Sequence, residues 1–155
     1  MKNVWVTSSR SVSKPWGDEQ RWGTGGTGRI SGKILHLKEG CRNSLKYNQI
    51  KDETLFILSG KLLLTYSNEK FQEHYDFCSV RVLPGETINI QSGCPYRIKA
   101  LEDSVIVEIA HRGGGGGNGV VRFHDDYGRH STIEEYEAYE NAEKAEKSIA
   151  LLGDI

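Results

Sequence analysis

Residues 40–60 read GCRNSLKYNQIKDETLFILSG, and residues 85–98 read GETINIQSGCPYRI. Side chains two positions apart on a β-strand point to the same face of the sheet. Lys46 and Asn48 are therefore predicted to share one face of a strand, and Glu53 to share a face with the apolar residues at 55 and 57. The same spacing pairs Tyr96 with the apolar residue at 98. The two stretches thus predict strands whose polar side chains point into one interior.

Further strands are predicted on both sides of these stretches. Lys33–Lys38 alternates, so Leu35 and Leu37 should lie on one buried face. Residues 54–58 and 61–66 are predicted to form a hairpin across a Ser-Gly turn. Other short strands are expected at residues 70–77, 87–90, 96–99 and 103–110. So many short strands favour an all-β sandwich or barrel over a parallel sheet with crossover helices.

One helix is predicted near the C-terminus. Ser131 is a candidate N-cap, and Glu134 would complete a capping box. Apolar residues follow at intervals of three and four, namely Ile133, Tyr136, Tyr139, Ala142, Ala145, Ile149 and Leu152. This stripe should dock either on the outside of the barrel or on a second subunit. The glycine-rich residues 113–119 are interpreted as a solvated connector, with a mobile lid as the alternative.

Composition narrows the class of protein further. The 155 residues suit one domain with a real core, and the formal net charge of -1 offers no basic patch for nucleic acid. No apolar run is long enough to cross a bilayer, and the N-terminus lacks a signal-peptide pattern. Three cysteines without CxxC spacing suit free thiols in a reducing compartment. A cytoplasmic location is therefore expected, with no nucleic-acid or membrane partner.

Three motifs together resemble one protein family. They are KPWG at 14–17, SLKYNQIKDE at 44–53 and VVRFHDDYGR at 120–129. They are similar to the opening, central and closing motifs of the cupin domain of type II mannose-6-phosphate isomerases. That domain also occurs as the C-terminal domain of mannose-1-phosphate guanylyltransferase/isomerase proteins. The resemblance implies a cupin double-stranded β-helix, or jelly-roll barrel, at residues 14–129. An N-terminal extension at 1–13 and a helical segment at 130–155 would flank it.

The resemblance also implies where a metal would bind. The family usually offers Gln, His, Glu and His at positions that correspond here to Lys46, Asn48, Glu53 and Tyr96. Zn, Mn, Fe and Ni sites generally use several imidazoles, thiolates or carboxylates. This set has one carboxylate beside an ammonium, and the five histidines fall outside the motifs. We therefore predict no metal cofactor. The alternative is an active isomerase that binds Zn, Mn, Fe or Ni through an unusual ligand set.

The altered residues suggest a catalytic and a structural interpretation. Lys46 and Glu53 are expected to pair, and Lys46 would then simply neutralise Glu53 in place of the lost ion. In the catalytic interpretation, Glu53 moves a proton between adjacent carbons of an aldose. Lys46 or Tyr96 would polarise the carbonyl oxygen.

Four residues are candidates for substrate binding, namely Asn48, Tyr47, Arg97 and Lys51. Arg97 or Lys51 would hold a phosphate. Because Arg97 alternates with Tyr96, however, its side chain should point away from the interior. In a non-catalytic sugar-binding barrel, Tyr47, Tyr96 and Trp16 would offer stacking surfaces. Cys41, Cys78 and Cys94 are interpreted as small buried side chains.

The preferred hypothesis is a mannose-6-phosphate isomerase-like cupin of carbohydrate metabolism that binds a sugar phosphate or sugar nucleotide at a degenerate metal site. A homodimer is expected. An active mannose-6-phosphate isomerase and a structural or regulatory barrel are the alternatives.

Overall fold

The computed structural model describes residues 3–23, 29–112, 119–124 and 133–151. Eleven strands and one helix lie within these residues. In chain order they are β1 (Arg10–Lys14), β2 (Gly17–Trp22), β3 (Ile30–Leu37), β4 (Leu45–Asn48), β5 (Lys51–Ser59), β6 (Leu62–Tyr66), β7 (Cys78–Val82), β8 (Thr87–Ile90), β9 (Tyr96–Ala100), β10 (Ser104–Arg112), β11 (Val120–His124) and α1 (Ile133–Leu151).

The strands form two antiparallel sheets. A six-stranded sheet has the order β1-β2-β3-β10-β5-β8, and a five-stranded sheet has the order β11-β4-β9-β6-β7. The predicted all-β class with a C-terminal helix is confirmed. Strand β1 crosses the expected boundary between the extension at 1–13 and the barrel, and it pairs with β2 from Arg10↔Arg21 to Lys14↔Gly17.

The main core lies between the inner faces of the two sheets. Leu35 and Leu37 both belong to it, as the alternation in β3 predicts. Leu55 and Ile57 of β5 meet Ile98 of the opposite sheet in the same cluster, and all three are fully buried. Apolar side chains fill one end of this interior, whereas polar side chains occupy the other end.

The predicted hairpin across Ser59 and Gly60 is wrong. Strand β5 belongs to the six-stranded sheet and β6 to the five-stranded sheet, so the turn carries the chain from one sheet to the other. Gly60 has φ of 91°, a conformation that glycine adopts without steric cost. A Cβ atom there would lie 2.1 Å from Ser104 Oγ. The Ser-Gly signal marks a tight turn but does not specify which strands pair.

The predicted strand at 70–77 is also wrong, because the strand in this region is Cys78–Val82. Phe71 takes a positive φ of 50°, and its amide donates to the carbonyl oxygen of Gly93. Tyr75 is buried beside Phe123, and its hydroxyl accepts a hydrogen bond from the amide of Gln72. These contacts hold an irregular loop against the outer face of the five-stranded sheet.

Helix α1 docks on the outside of the barrel, as one of the two predicted arrangements required. Ala138 and Ala142 pack against Leu45, Tyr75 and Phe123 in a second apolar cluster. The proposed N-cap Ser131 lies outside the described residues. So do Leu152 and the side chains of Ile133, Glu134 and Tyr136.

The docked face of α1 carries acidic side chains that the apolar stripe does not predict. Glu143 pairs with Arg42 and, at 2.9 Å, with the fully buried Arg97. Glu146 is buried and pairs with Lys99 at 3.1 Å. No helix in the described part of the chain is long and apolar enough to span a membrane.

Candidate functional site

The polar end of the barrel interior contains a cavity of about 360 Å³, here called the front cavity. Three glutamates and six basic residues are among its lining side chains. The glutamates are Glu19, Glu53 and Glu108, and the basic residues are Lys14, Arg21, Lys33, Lys46, Lys51 and Arg122. All three glutamates are buried, so this cavity concentrates charge in an environment where charge is costly.

The register of the strands explains why the Glu53 and Glu108 side chains lie close together. Glu108 of β10 lies opposite Leu55 of β5, and Glu53 lies opposite Ala110. Glu53 and Glu108 are therefore diagonal neighbours on the inner face of the six-stranded sheet. On the other side of β10, Glu108 lies opposite Lys33. The strand pattern thus places two carboxylates and a lysine side by side.

Glu53 is bound by Tyr96 across the barrel. The Tyr96 hydroxyl donates to Glu53 Oε2 at 2.5 Å, and both side chains are buried. Burial, followed by the negative charges of Glu53 and Glu108, raises the pKa of Tyr96 well above 10. Tyr96 is therefore a neutral phenol at physiological pH and acts as a hydrogen-bond donor.

Glu108 and Glu19 occupy contrasting environments. Burial, and then the Glu53 carboxylate, raises the pKa of Glu108, although Lys33 and Lys46 oppose this rise. Burial also disfavours ionisation of Glu19, but Lys33, Arg21 and Lys14 together lower its pKa below 4.5. Arg21 Nε donates to Glu19 Oε2 at 2.9 Å. Glu19 is thus an ion-paired carboxylate, whereas Glu108 retains its proton to higher pH.

The expected ion pair between Lys46 and Glu53 is not formed. Within the described residues, no carboxylate oxygen lies within 4.0 Å of the Lys46 ammonium. Lys46 lies opposite Tyr96 in the register of β4 and β9, and its charge acts on Glu108. The hydrogen-bond partner of Glu53 across the barrel is instead the Tyr96 hydroxyl.

Asn48 and Lys51 both line the front cavity. The side-chain oxygen of Asn48 accepts hydrogen bonds from the amides of Ile50 and Lys51, which closes the turn between β4 and β5. Like Lys46, Lys51 has no ion pair with a carboxylate in the described part of the chain. Asn48 thus has a structural role in addition to its position at the cavity.

Tyr47 and Arg97 lie elsewhere, which corrects their placement as candidate ligand contacts in this cavity. Tyr47 packs on the outer face of the five-stranded sheet, with its ring 5.6 Å from that of Phe123. Arg97 also points outward, bonds Glu143 and lies 5.1 Å from the ring centre of Tyr139. Alternation along β4 and β9 sends both side chains away from Lys46 and Tyr96. Trp16 does line the cavity, but only 5% of its surface is exposed.

The donor set does not suit a transition metal. Tyr96 is a protonated phenol bound to Glu53, and Lys46 brings a positive charge to the same cavity. Within the residues that the structure describes, no group of three or more His, Cys, Asp or Glu side chains is placed to hold a metal ion. His36, His74 and His111 are exposed, and the other two histidines have side chains outside the described part. These residues therefore fit a bound metal poorly, and the absence of a metal cofactor remains a prediction.

The thiols show no sign of activation. Cys78 is exposed, contrary to the expectation of a buried side chain, and Cys41 and Cys94 are partly buried. Burial raises the pKa of Cys94, so this thiol is protonated at neutral pH.

Sequence analysis did not identify Glu19, Lys33 and Glu108 as members of the site. A signal was present for two of them. Lys33 shares the strand face of Leu35, and Glu108 shares that of Ile106 and Ala110, so both are charged residues at core positions. Glu19 lies in a strand of polar residues and carried no such signal.

Comparisons with known proteins identify the fold but not the function. No protein-family model matches this sequence, and no curated protein matches it. Oxalate decarboxylase from Bacillus subtilis matches with a TM-score of 0.61 and 16% identity, over 77% of this chain and 33% of that chain. Oxalate decarboxylase from Lactobacillus farciminis matches with a TM-score of 0.60 and 15% identity, over 74% of this chain and 33% of that chain. The capsular polysaccharide assembling protein CapF from Staphylococcus aureus matches with a TM-score of 0.58 and 15% identity, over 74% of this chain and 32% of that chain.

These structures share the cupin fold with this chain. The protein is therefore a cupin-fold barrel with a docked C-terminal helix. The chain spans about a third of the length of the structures that it matches.

Proposed function

We propose that this protein binds a sugar phosphate or sugar nucleotide in the front cavity without a metal ion. The fold alone does not select this function, because one fold hosts many activities. The proposal rests instead on the chemistry of the cavity, together with the resemblance of three sequence motifs to the mannose-6-phosphate isomerase domain.

The observation that carries the proposal is the excess of basic side chains around buried acids. Six basic residues and three glutamates line the cavity. Lys46 and Lys51 have no carboxylate partner in the described residues and would bind the phosphate oxygens. Glu53 and Glu19 would accept hydrogen bonds from sugar hydroxyls. A volume of about 360 Å³ lies within the range of small-molecule sites.

Aldose–ketose isomerisation is a second candidate function, favoured by the unequal environments of Glu53 and Glu108. Tyr96 donates a hydrogen bond to Glu53, whereas burial raises the pKa of Glu108, and two neighbouring carboxyl groups in different surroundings can divide the roles of base and acid. Glu53 would take the proton from C2 of an aldose phosphate and return it to C1. Glu108, protonated to higher pH, would supply a proton to the carbonyl oxygen at C1 and would then take the proton from the C2 hydroxyl as the ketose forms. Lys46 would stabilise the developing negative charge.

Calorimetric titration tests the binding proposal. Mannose 6-phosphate and GDP-mannose should bind, whereas mannose and inorganic phosphate should bind at least about tenfold more weakly, since each makes only part of the contacts. Lys46→Met should weaken binding of mannose 6-phosphate by about tenfold or more. Lys38→Met is the matched control, because Lys38 is exposed and lies outside the cavity lining.

Three results would decide among the alternatives. Stoichiometric metal in protein purified without added ions, with isomerase activity that a chelator abolishes, would support the metal-dependent isomerase instead. Failure of all four ligands to bind would favour a structural or regulatory barrel. Isomerisation of mannose 6-phosphate by chelator-treated protein would establish the second candidate function.

A further inference from the structure

A second and larger opening lies on the opposite side of Tyr96 from the front cavity. It has a volume of about 620 Å³ and is here called the rear cleft. Strands β7 and β8 lie along it, and Leu64, Val82 and Ile88 form its apolar floor. The cleft shares no lining residue with the front cavity, so the proposed sugar-phosphate site does not account for it.

The rear cleft exists because two consecutive strands enter different sheets. In the described residues, β7 pairs with β6 in one sheet and β8 pairs with β5 in the other. Each strand is an edge strand of its sheet, so the barrel is open between them. Val80 alternates with the core residue Val82 and therefore faces the interior, yet 41% of its surface is exposed. An inward apolar residue with that exposure marks a real opening into the core.

The rim of the rear cleft is polar and has one lysine that carries no ion pair in the described part of the chain. The amide side chains of Asn68, Asn89 and Gln91 belong to residues that line it. Lys70 and Glu86 also line it, and Glu86 Oε2 accepts a hydrogen bond from the amide of Leu83 at 2.7 Å. Within the described residues, no carboxylate forms an ion pair with Lys70. The apolar floor and the Lys70 ammonium thus complement a ligand that has an apolar body and an anionic end.

Tyr96 separates this cleft from the front cavity. Tyr96 lines the rear cleft, whereas its hydroxyl bonds Glu53, which lines the front cavity. The ligands of the two cavities would therefore contact different residues. Lys70 takes no part in the proposed sugar-phosphate site.

We propose that the rear cleft is a second ligand site, for a small amphipathic anion with an apolar ring and a single acidic group. Sites for such ligands are concave, largely apolar, and carry a few polar groups that fix orientation. The ring would lie on Leu64, Val82 and Ile88, and the acidic group would lie near Lys70. The proposal is independent of sugar-phosphate binding.

Fluorescence titration with 1-anilinonaphthalene-8-sulfonate tests this site, because that probe joins aromatic rings to one sulfonate. The folded protein should bind one equivalent with enhanced fluorescence. Val80→Glu should weaken binding about tenfold or more, because it places a carboxylate beside the apolar floor. Ile109→Glu is the matched control, since Ile109 is a similarly exposed strand residue, at 47%, and is not part of the cleft lining.

A second readout uses the partly buried thiol of Cys94. Cys94 lines the rear cleft, and the charge of Lys70 acts on its thiol. In a Cys41→Ser/Cys78→Ser background, the probe should slow alkylation of Cys94 by iodoacetamide. The proposal is overturned if folded Val80→Glu and wild-type protein bind the probe equally. It is also overturned if Ile109→Glu loses binding to the same extent, or if Cys94 is alkylated at an unchanged rate.

Discussion

Tyr96 and Glu53 come from opposite sheets and meet in the buried interior, where the phenol donates to the carboxylate at 2.5 Å. The motif resemblance predicted that these two positions correspond to metal ligands. In this structure, Tyr96 and Glu53 instead bind each other through one hydrogen bond. This bond links the two sheets at the polar end of the barrel.

Removal of the Tyr96 hydroxyl should show how much this hydrogen bond contributes to the free energy of unfolding. Tyr96→Phe leaves a buried carboxylate without its donor and should lower the free energy of unfolding by about 1 to 3 kcal/mol. Urea denaturation measures the change. A double-mutant cycle with Glu53→Leu is the control, because replacing both partners with apolar groups should cost less than the sum of the single changes. Strict additivity would contradict a direct interaction.

The Glu108 carboxyl should make stability depend on pH. Burial, followed by the Glu53 charge, raises its pKa above 4.5, so the native state keeps this proton to higher pH than the unfolded chain does. Its contribution to stability therefore falls as pH rises above about 4.5 and through the folded pKa. Glu108→Gln cannot ionise and should therefore become more stable relative to wild type as pH rises through that window.

Urea denaturation from pH 4 to pH 8 checks the Glu108 prediction. Glu102→Gln serves as control, because 58% of the Glu102 side chain is exposed and its profile should parallel that of wild type. A Glu108→Gln profile that also runs parallel to wild type would rule out a raised pKa. Glu19 acts in the opposite sense: its pKa is lowered, so its contribution is lost as pH falls below about 4.5.

Docking of α1 should depend on Glu143. Arg97 is fully buried and bonds Glu143 at 2.9 Å, so Glu143→Ala removes a partner from a buried cation. We expect a loss of about 2 kcal/mol or more in the free energy of unfolding. Glu140→Ala, on the exposed side of the helix, should change it by less than about 0.5 kcal/mol. Equal effects in chemical denaturation would show that the Arg97 pair contributes nothing.

Alanine substitutions at Gly60 and Gly40 distinguish the cost of backbone strain from the cost of steric overlap. Both glycines have positive φ, of 91° and 79°, but a Cβ at Gly60 would meet Ser104 Oγ at 2.1 Å, whereas at Gly40 nothing lies within 4 Å. Gly40→Ala should cost about 1 kcal/mol from its backbone conformation alone. Gly60→Ala should cost about 2 to 4 kcal/mol, because overlap is added. Thermal and urea unfolding measure the stability of both variants. An equal loss of stability in the two variants would refute the packing argument.

The alternation of apolar and polar residues was sufficient to predict which side chains of several strands point into the interior. Leu35 and Leu37 lie in the core because residues two apart on a strand share a face. The same rule sends Lys46 and Glu53 toward one cavity, and it correctly indicated that Arg97 points away. Turn residues marked where strands end, and the three motifs indicated the cupin fold.

Only the tertiary structure decided which strands are neighbours and which charges meet. The Ser59–Gly60 turn has the local sequence of a hairpin, yet β5 and β6 enter different sheets because each finds its partners far away in the chain. Lys46 and Glu53 were expected to pair, but Tyr96 binds Glu53 while Lys46 acts on Glu108. The face of a side chain follows from the local period of a strand. Strand pairing and the choice of charged partners depend on long-range packing, which no local pattern encodes.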